Sequence, residues 1–372
     1  MTTARVAIVH DYLTQFGGAE RVVLALARAF PGAPVHTAFY EPDATFPELA
    51  ELDIRPLPIN RVTPLRRRHR LALPFLAPSF SRAQIDADIV VCSSSGWAHG
   101  ARTNARKVVY CHNPAHWLYL ADDYVAPDAR LTRAVLGALG PPLRRWDRRA
   151  AASAARYLVN SSVIRQRVRD TYGIEAEVLH PPPALSIDGE TRPVAGLTPG
   201  FALCVSRLVE YKNVRAAVDA FAVRPDARLV VVGEGPQRVE IERTAPPNVR
   251  VLGTITDPEL RWLYRECATL VAPAYEDFGL TPVEAAAFGK PTLALRYGGY
   301  LDTVRDGTTG LYFETPTPDA IADAITRFAA RDWDANVLRA HADAFAEHRF
   351  ATRMQTVVAE EAERAGLILA RS

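Results

Sequence analysis

Lysine is nearly absent from this chain. Lys107, Lys212 and Lys290 are the only three among 44 basic residues, so arginine is the default and a lysine inside a motif stands out. Cysteine is almost as scarce. Cys92, Cys111, Cys204 and Cys267 are scattered, and none forms the C-x-x-C spacing of a structural zinc site or a disulfide scaffold. Three lie in or beside apolar strand-like runs, so buried thiols in a reducing compartment are expected. Long hydrophobic runs are missing too: nothing approaches the ~18 residues of a membrane-spanning helix. The chain opens almost directly on a strand, MTTARVAIVH, so no secretory signal is expected and the location is expected to be cytoplasmic. There is no G-x-G-x-x-G, which leaves a dinucleotide-binding fingerprint weakly supported. No internal repeat is evident.

What remains is a soluble globular composition, 48% hydrophobic and 23% charged, over 372 residues, enough for two domains. Short apolar runs alternate with helical stretches throughout, which predicts an α/β fold built from doubly wound, Rossmann-like sheets. The first half reads as strands at Arg5–His10, Val35–Tyr40, Ile54–Leu57, Ile85–Ser93, Lys107–Cys111, Tyr157–Val159 and Glu175–Leu179. A long helix over Leu131–Ala155 is expected to break at Gly140-Pro141-Pro142, and Ser161 to cap a helix running to Tyr172. Pro183–Gly200 is rich in proline and glycine and is expected to link the domains, 1–183 and 184–349. Strands then resume at Phe201–Ser206, Leu229–Val232, Val249–Gly253, Leu270–Pro273 and Thr292–Leu295. The net charge of +2 is unevenly divided. Residues 1–182 carry 23 basic against 16 acidic side chains (+7), and residues 183–372 carry 21 against 26 (−5). A basic front half suits an anionic partner.

The stretch Thr269–Gly289, TLVAPAYEDFGLTPVEAAAFG, joins a buried strand, a glycine loop and a helix N-terminus. That combination makes an anion site at the carboxyl edge of a parallel sheet. Pro282 is expected at the first helical position. Glu276 and Glu284 flank the loop. A carboxylate does not bind phosphate, so these two suit sugar or ribose hydroxyls; alternatively, Thr281-x-x-Glu284 is a capping box. Arg207 and Lys212 follow a strand and precede a helix, as a diphosphate clamp would, or are solvated bases. Gly17 and Gly18 mark a strand-to-helix turn open to close ligand approach, or an ordinary tight turn. His112 falls at a strand's carboxyl end. Trp117, Tyr119 and Asp122 follow it, either as acceptor contacts or as core and surface. In Arg61–Phe80, Arg66, Arg67, Arg68 and Arg70 precede Leu71, Leu73, Phe75 and Leu76. This pattern fits a helix lying on an anionic bilayer, or a basic helix packed on its own domain. No RNA-binding or DNA-binding motif accompanies these arginines, so nucleic acid is not expected as a partner.

EDFGLTPVEAAAFGKP resembles the E-x7-E signature of the retaining glycosyltransferases of family 4, which have the GT-B fold. SRLVEYKNV resembles the family's R-x4-K diphosphate motif, HDYLTQFGGAERV its N-terminal glycine loop, and Tyr297-Gly298-Gly299-Tyr300 its later glycine loop. YCHNPAHWLYLADDY resembles the histidine-bearing strand end of its members, including mannosyltransferases of polysaccharide and glycolipid pathways. The resemblance spans nearly the whole chain. It implies two Rossmann-like domains facing across a cleft, with a last helix, about Ala351–Gly366, crossing back so that 350–372 joins the first domain.

For function the resemblance implies retaining, metal-independent transfer of a sugar from a nucleoside diphosphate sugar. Arg207 and Lys212 would hold the leaving diphosphate beside the amides of the Phe278-Gly279-Leu280 turn. Glu276 would lie by the transferred sugar, Glu284 by the ribose, and His112 near the reacting bond, with Gly17 and Gly18 beside the donor. The expected donor is GDP-mannose and the expected acceptor a lipid-linked or polysaccharide glycan at the inner membrane face, without a cofactor. A UDP-sugar-dependent transferase and a nucleotide-sugar 2-epimerase of the same fold are the alternatives.

Overall fold

The computed structural model describes residues 3–67, 69–119 and 130–369, without the side chains of 69–70, 116–117, 130–136 and 138. The chain divides into two compact units, Met1–Pro181 with Glu347–Ser372, and Pro182–Ala346.

The first unit is built on seven strands: β1 (Val6–His10), β2 (Val35–Thr37), β3 (Ile54–Pro56), β4 (Ile89–Ser94), β5 (Arg106–Cys111), β6 (Arg156–Val159) and β7 (Glu177–Val178). They pair in the order β3-β2-β1-β4-β5-β6-β7, parallel throughout. Ile8, Val9, Ile89, Val90, Val91, Val108 and Val109 are all buried, the unbroken apolar lettering of strands covered on both faces. The chain reverses direction across the sheet between β1 and β4. At such a switch point the loops leaving the carboxyl ends part and open a crevice for ligands.

The C-terminal helix Glu347–Arg364 belongs to this unit. Its Phe350, Met354, Val357, Val358 and Ala362 join one buried cluster with Val22, Val23 and Leu26 of the helix Gly18–Ala29. Arg106 donates to Glu361, whose side chain is fully buried, and Arg353 clasps Glu177 at 2.6 and 2.8 Å.

The second unit repeats the plan with six parallel strands: β8 (Ala202–Val205), β9 (Leu229–Val232), β10 (Val249–Leu252), β11 (Thr269–Ala272), β12 (Thr292–Leu295) and β13 (Gly310–Phe313). Their order is β10-β9-β8-β11-β12-β13. Its switch point lies between β8 and β11, and those two strands deliver the arginine–lysine and glutamate loops.

Four expectations need correction. The helix Arg130–Ala152 runs unbroken through Pro141 and Pro142. Both prolines are exposed, so water can solvate the two carbonyls they leave without donors. The helix after the glycine loop begins at Leu280, not at Pro282. Several first-unit strands are shorter than their apolar runs; β2 stops at Thr37 and β4 starts at Ile89. The C-terminal helix starts four residues before the expected Ala351. Ser161 does cap its helix, accepting from the Ile164 amide at 3.4 Å. All four cysteines are buried thiols. Among the described residues, no helix is long and apolar enough to cross a membrane.

Candidate active site

In the second unit, the loop after β8 carries Arg207 and ends in the short turn Glu210–Lys212. Asn213 follows in the left-handed region (φ 53°), a conformation asparagine tolerates better than most residues. Its side-chain amide donates to the Pro273 carbonyl at 3.0 Å, tying this loop to the one leaving β11. That second loop brings Glu276 onto Lys212. The lysine is 7% exposed and its ammonium donates to the Glu276 carboxylate. Arg207 is exposed at the rim and donates to the Tyr211 hydroxyl at 2.5 Å. The side chains of Tyr275 and Tyr297 meet edge to face, 4.8 Å apart.

The backbone around Glu276 is held by a third loop. Gly299 donates to the Glu276 carbonyl at 3.0 Å. Gly298 sits at φ 58°, where a Cβ would lie 2.1 Å from that same carbonyl oxygen, and a Cβ on Gly299 would lie 2.2 Å from the Phe278 Cα. Only glycine fits at either position. Gly279 is the residue before the helix Leu280–Ala287 and has φ 86°, with Tyr300 packed where its Cβ would be. The amides that open this helix have no side-chain cap among the described residues.

Glu284 is not part of a capping box. It lies in the second turn of the helix and is 6% exposed. One carboxylate oxygen accepts from the Tyr264 hydroxyl at 2.7 Å and the other from the Ala184 amide at 3.2 Å. The second unit thus brings Arg207, Lys212, Glu276, Phe278, Gly279, Leu280 and Glu284 to the carboxyl ends of β8 and β11.

Gly17, Gly18 and His112 belong to the first unit. Gly17 precedes the helix Gly18–Ala29, and its missing Cβ leaves room for the Glu20 carboxylate, which would lie 2.3 Å away. Burial pushes the Glu20 carboxyl up to about 7. His112 follows β5 directly. Its pKa is pushed down to about 3, first by burial and then by neighbouring His10. The ring is half-buried, and Nε2 lies 2.8 Å from the Ser93 hydroxyl.

Sequence reasoning missed Asp11. Its buried carboxylate follows β1 and accepts from the amides of Ser95, Trp97 and Ala98 at 2.7, 3.2 and 2.6 Å, so it organises the loop after β4. Burial nonetheless raises its pKa to about 6. His10 and Ser93 were missed as well. The available signal was the His10-Asp11 pair at a strand's carboxyl end. The helix after Lys212 begins at Val214, with Asn213 just before it.

Two other groups of residues stand apart. The Tyr119 hydroxyl donates to Asp147 at 2.7 Å, within the core of the first unit. Only the backbone of Trp117 is described, and Asp122 lies outside the described residues. Arg66 is turned inward, donating to Glu41 at 2.6 Å and to the Asn60 carbonyl at 3.1 Å, so its charge is already matched. Arg67 is exposed, Arg68 lies outside the described residues and Arg70 is described only in its backbone. Among the described residues, no group of three or more His, Cys, Asp or Glu side chains could hold a metal ion.

Residues 16–182 match the family described as Glycosyltransferase Family 4, and residues 191–344 match Glycosyl transferases group 1. The alpha-1,3/1,6-mannosyltransferase ALG2 of Dictyostelium discoideum is 26% identical over 95% of this chain and 97% of its own. The D-inositol 3-phosphate glycosyltransferase of a Nocardioides species is 44% identical, over 23% of this chain and 19% of its own. Among solved structures, Anabaena Alr3699/HepE in complex with UDP-glucose superposes with a TM-score of 0.68 at 18% identity, covering 95% of this chain and 99% of that one. The chain is a glycosyltransferase of the GT-B fold, belonging to the family 4 and group 1 glycosyltransferases whose two domain types it carries in that order.

Proposed function

We propose that this glycosyltransferase moves mannose from GDP-mannose to a lipid-linked or polysaccharide acceptor, with retention at the anomeric carbon. The observation that carries the donor half is the convergence of Arg207, Lys212 and Glu276 at the β8–β11 switch point, next to the amides of Gly279 and Leu280. A sugar diphosphate needs both chemistries there: cations and amides for the phosphates, and a carboxylate for hydroxyls. The choice of mannose rests on the long match to a mannosyltransferase.

In this reading residues 184–349 bind the donor, while residues 1–183 with 350–372 serve the acceptor. The bond from the anomeric carbon to the β-phosphate oxygen breaks. The bond from the acceptor oxygen to that carbon forms on the same face. The acceptor proton passes to the departing phosphate oxygen. Arg207, Lys212 and the two amides stabilise the charge that grows on the diphosphate. They supply that stabilisation without a metal. Donor phosphates compete for Lys212 and leave Glu276 to accept from sugar hydroxyls. Glu284, which accepts from Tyr264 and Ala184, is the carboxylate this reading sets against a ribose hydroxyl. Gly17, Gly18 and Phe278 border the donor, and His112 contacts the transferred sugar. Exposed Leu71 and Phe75, near exposed Arg67, support contact with an anionic membrane face.

The test is turnover of GDP-mannose, UDP-glucose and UDP-N-acetylglucosamine with lipid-linked and free glycan acceptors, with the product anomer read by NMR. GDP-mannose should be consumed only with acceptor, giving an α-mannoside. Preference for a UDP sugar would overturn the donor, a β-linked product the stereochemistry, and isomerisation without acceptor the transfer itself.

A further inference from the structure

The carboxyl ends of β1, β4 and β5 place three side chains in a row. His10 ends β1 directly beside Ser93 of β4, and Ser93 stands beside Tyr110 of β5, two residues before His112. His10 Nδ1 lies 3.0 Å from the Ser93 carbonyl oxygen and 3.1 Å from the Ser93 hydroxyl. The same hydroxyl lies 2.8 Å from His112 Nε2. The two rings meet edge-on, 6.3 Å between centroids.

We propose that His10 and Ser93 are positioning residues that hold His112 in the tautomer with its hydrogen on Nδ1. A carbonyl oxygen only accepts, so the nitrogen facing it carries the hydrogen. With the Ser93 carbonyl 3.0 Å from Nδ1, we set the hydrogen of neutral His10 on Nδ1, over the ring's other backbone contact at Tyr12. A nitrogen that carries hydrogen cannot accept from Ser93. The hydroxyl hydrogen therefore goes to His112 Nε2, which must be bare. Burial favours the neutral form of both rings, with pKa values pushed down to about 4 and about 3, so each has a single N–H near pH 7. The N–H of His112 is then on Nδ1, which makes no hydrogen bond among the described residues on a half-buried ring. It offers a ligand oxygen a donor and not a lone pair. His112 accordingly orients a sugar oxygen and does not take a proton.

This rests on the reading that His112 contacts the sugar, but its test does not need the sugar. The full chain, labelled with ¹⁵N at histidine, is examined by long-range ¹H–¹⁵N correlation at pH 7.5, with His112→Gln and His10→Gln assigning the rings. His112 should show a bare Nε2 and a hydrogen-bearing Nδ1. Ser93→Ala should move it toward the Nε2–H form and lower kcat about 10-fold, the loss of one aligned hydrogen bond. Ser93→Thr should restore both. An Nε2–H form in the wild type, or a tautomer unmoved in Ser93→Ala, overturns the relay. If the tautomer behaves as stated but His112→Gln turns over normally, the relay is supported and the placement of His112 against the sugar is what fails.

Discussion

Gly298→Ala perturbs the Glu276 loop without changing any side chain assigned to the proposed donor site. Two costs follow from the structure. At φ 58°, an alanine pays for a left-handed backbone with about 1–2 kcal/mol. Its Cβ would also lie 2.1 Å from the Glu276 carbonyl oxygen, where real contacts stay above 3.0 Å. The Glu276 loop must therefore retreat by about 1 Å, enough to stretch the Gly299–Glu276 hydrogen bond and pull the carboxylate off its position, and a misplacement of that size costs about 10²-fold in rate. Gly173→Ala isolates the backbone contribution. Gly173 is also left-handed, at φ 69°, but nothing lies within 4 Å of its would-be Cβ. In denaturant unfolding both variants should lose about 1–2 kcal/mol, Gly298→Ala somewhat more. In steady-state transfer assays only Gly298→Ala should lose about 10²-fold in kcat. Equal activity in the two variants would refute the claim that this glycine positions Glu276.

Glu284→Ala strands the buried Tyr264 hydroxyl and should destabilise the second unit by about 1–3 kcal/mol in denaturant unfolding, while Glu284→Gln, which keeps one carbonyl acceptor, should lose less. Equal losses in the two would remove that bond from the account. Lys212→Ala should lose at least ~10²-fold in kcat if its charge stabilises the leaving diphosphate, measured in steady-state turnover with folding checked by circular dichroism. Burial holds the Glu20 carboxyl at about 7 in the folded chain, above its unfolded value of ~4.3. The folded state therefore keeps a proton that the unfolded state has released. Stability from this group is present below about pH 4 and lost as pH rises toward 7. Glu20→Gln should flatten that decline in unfolding free energies measured from pH 4.5 to 7.5, and an unchanged slope would contradict the burial argument.

The sheet of each unit was legible because parallel strands covered on both faces are written as unbroken apolar runs, as in Ile89–Cys92 and Leu229–Val232. The turns carrying Arg207, Lys212 and Glu276 were legible for a related reason: charge and glycine directly after such a run mark a strand's carboxyl end. Burial decided what was missed. Pro141 and Pro142 read as a helix break, yet exposure lets water satisfy the carbonyls they leave behind. Glu284 fits a capping box by spacing alone, but its partners are a tyrosine 20 residues away and an amide 100 residues away. Arg66 looks like a free cation until the fold sets it against Glu41. The row His10–Ser93–His112 exists only through the register of β1 against β4, which no local pattern encodes.

The central claim is that the β8–β11 switch point is where the nucleoside diphosphate sugar binds. Calorimetric titration of GDP-mannose into the full chain and into the Arg207→Ala, Lys212→Ala double variant tests it most directly. Each charged contact to phosphate contributes about 1.5–3 kcal/mol, so removing both should weaken binding by at least ~10²-fold in a variant that still folds. A double variant that binds GDP-mannose as tightly as the wild type would place the donor elsewhere and contradict the account.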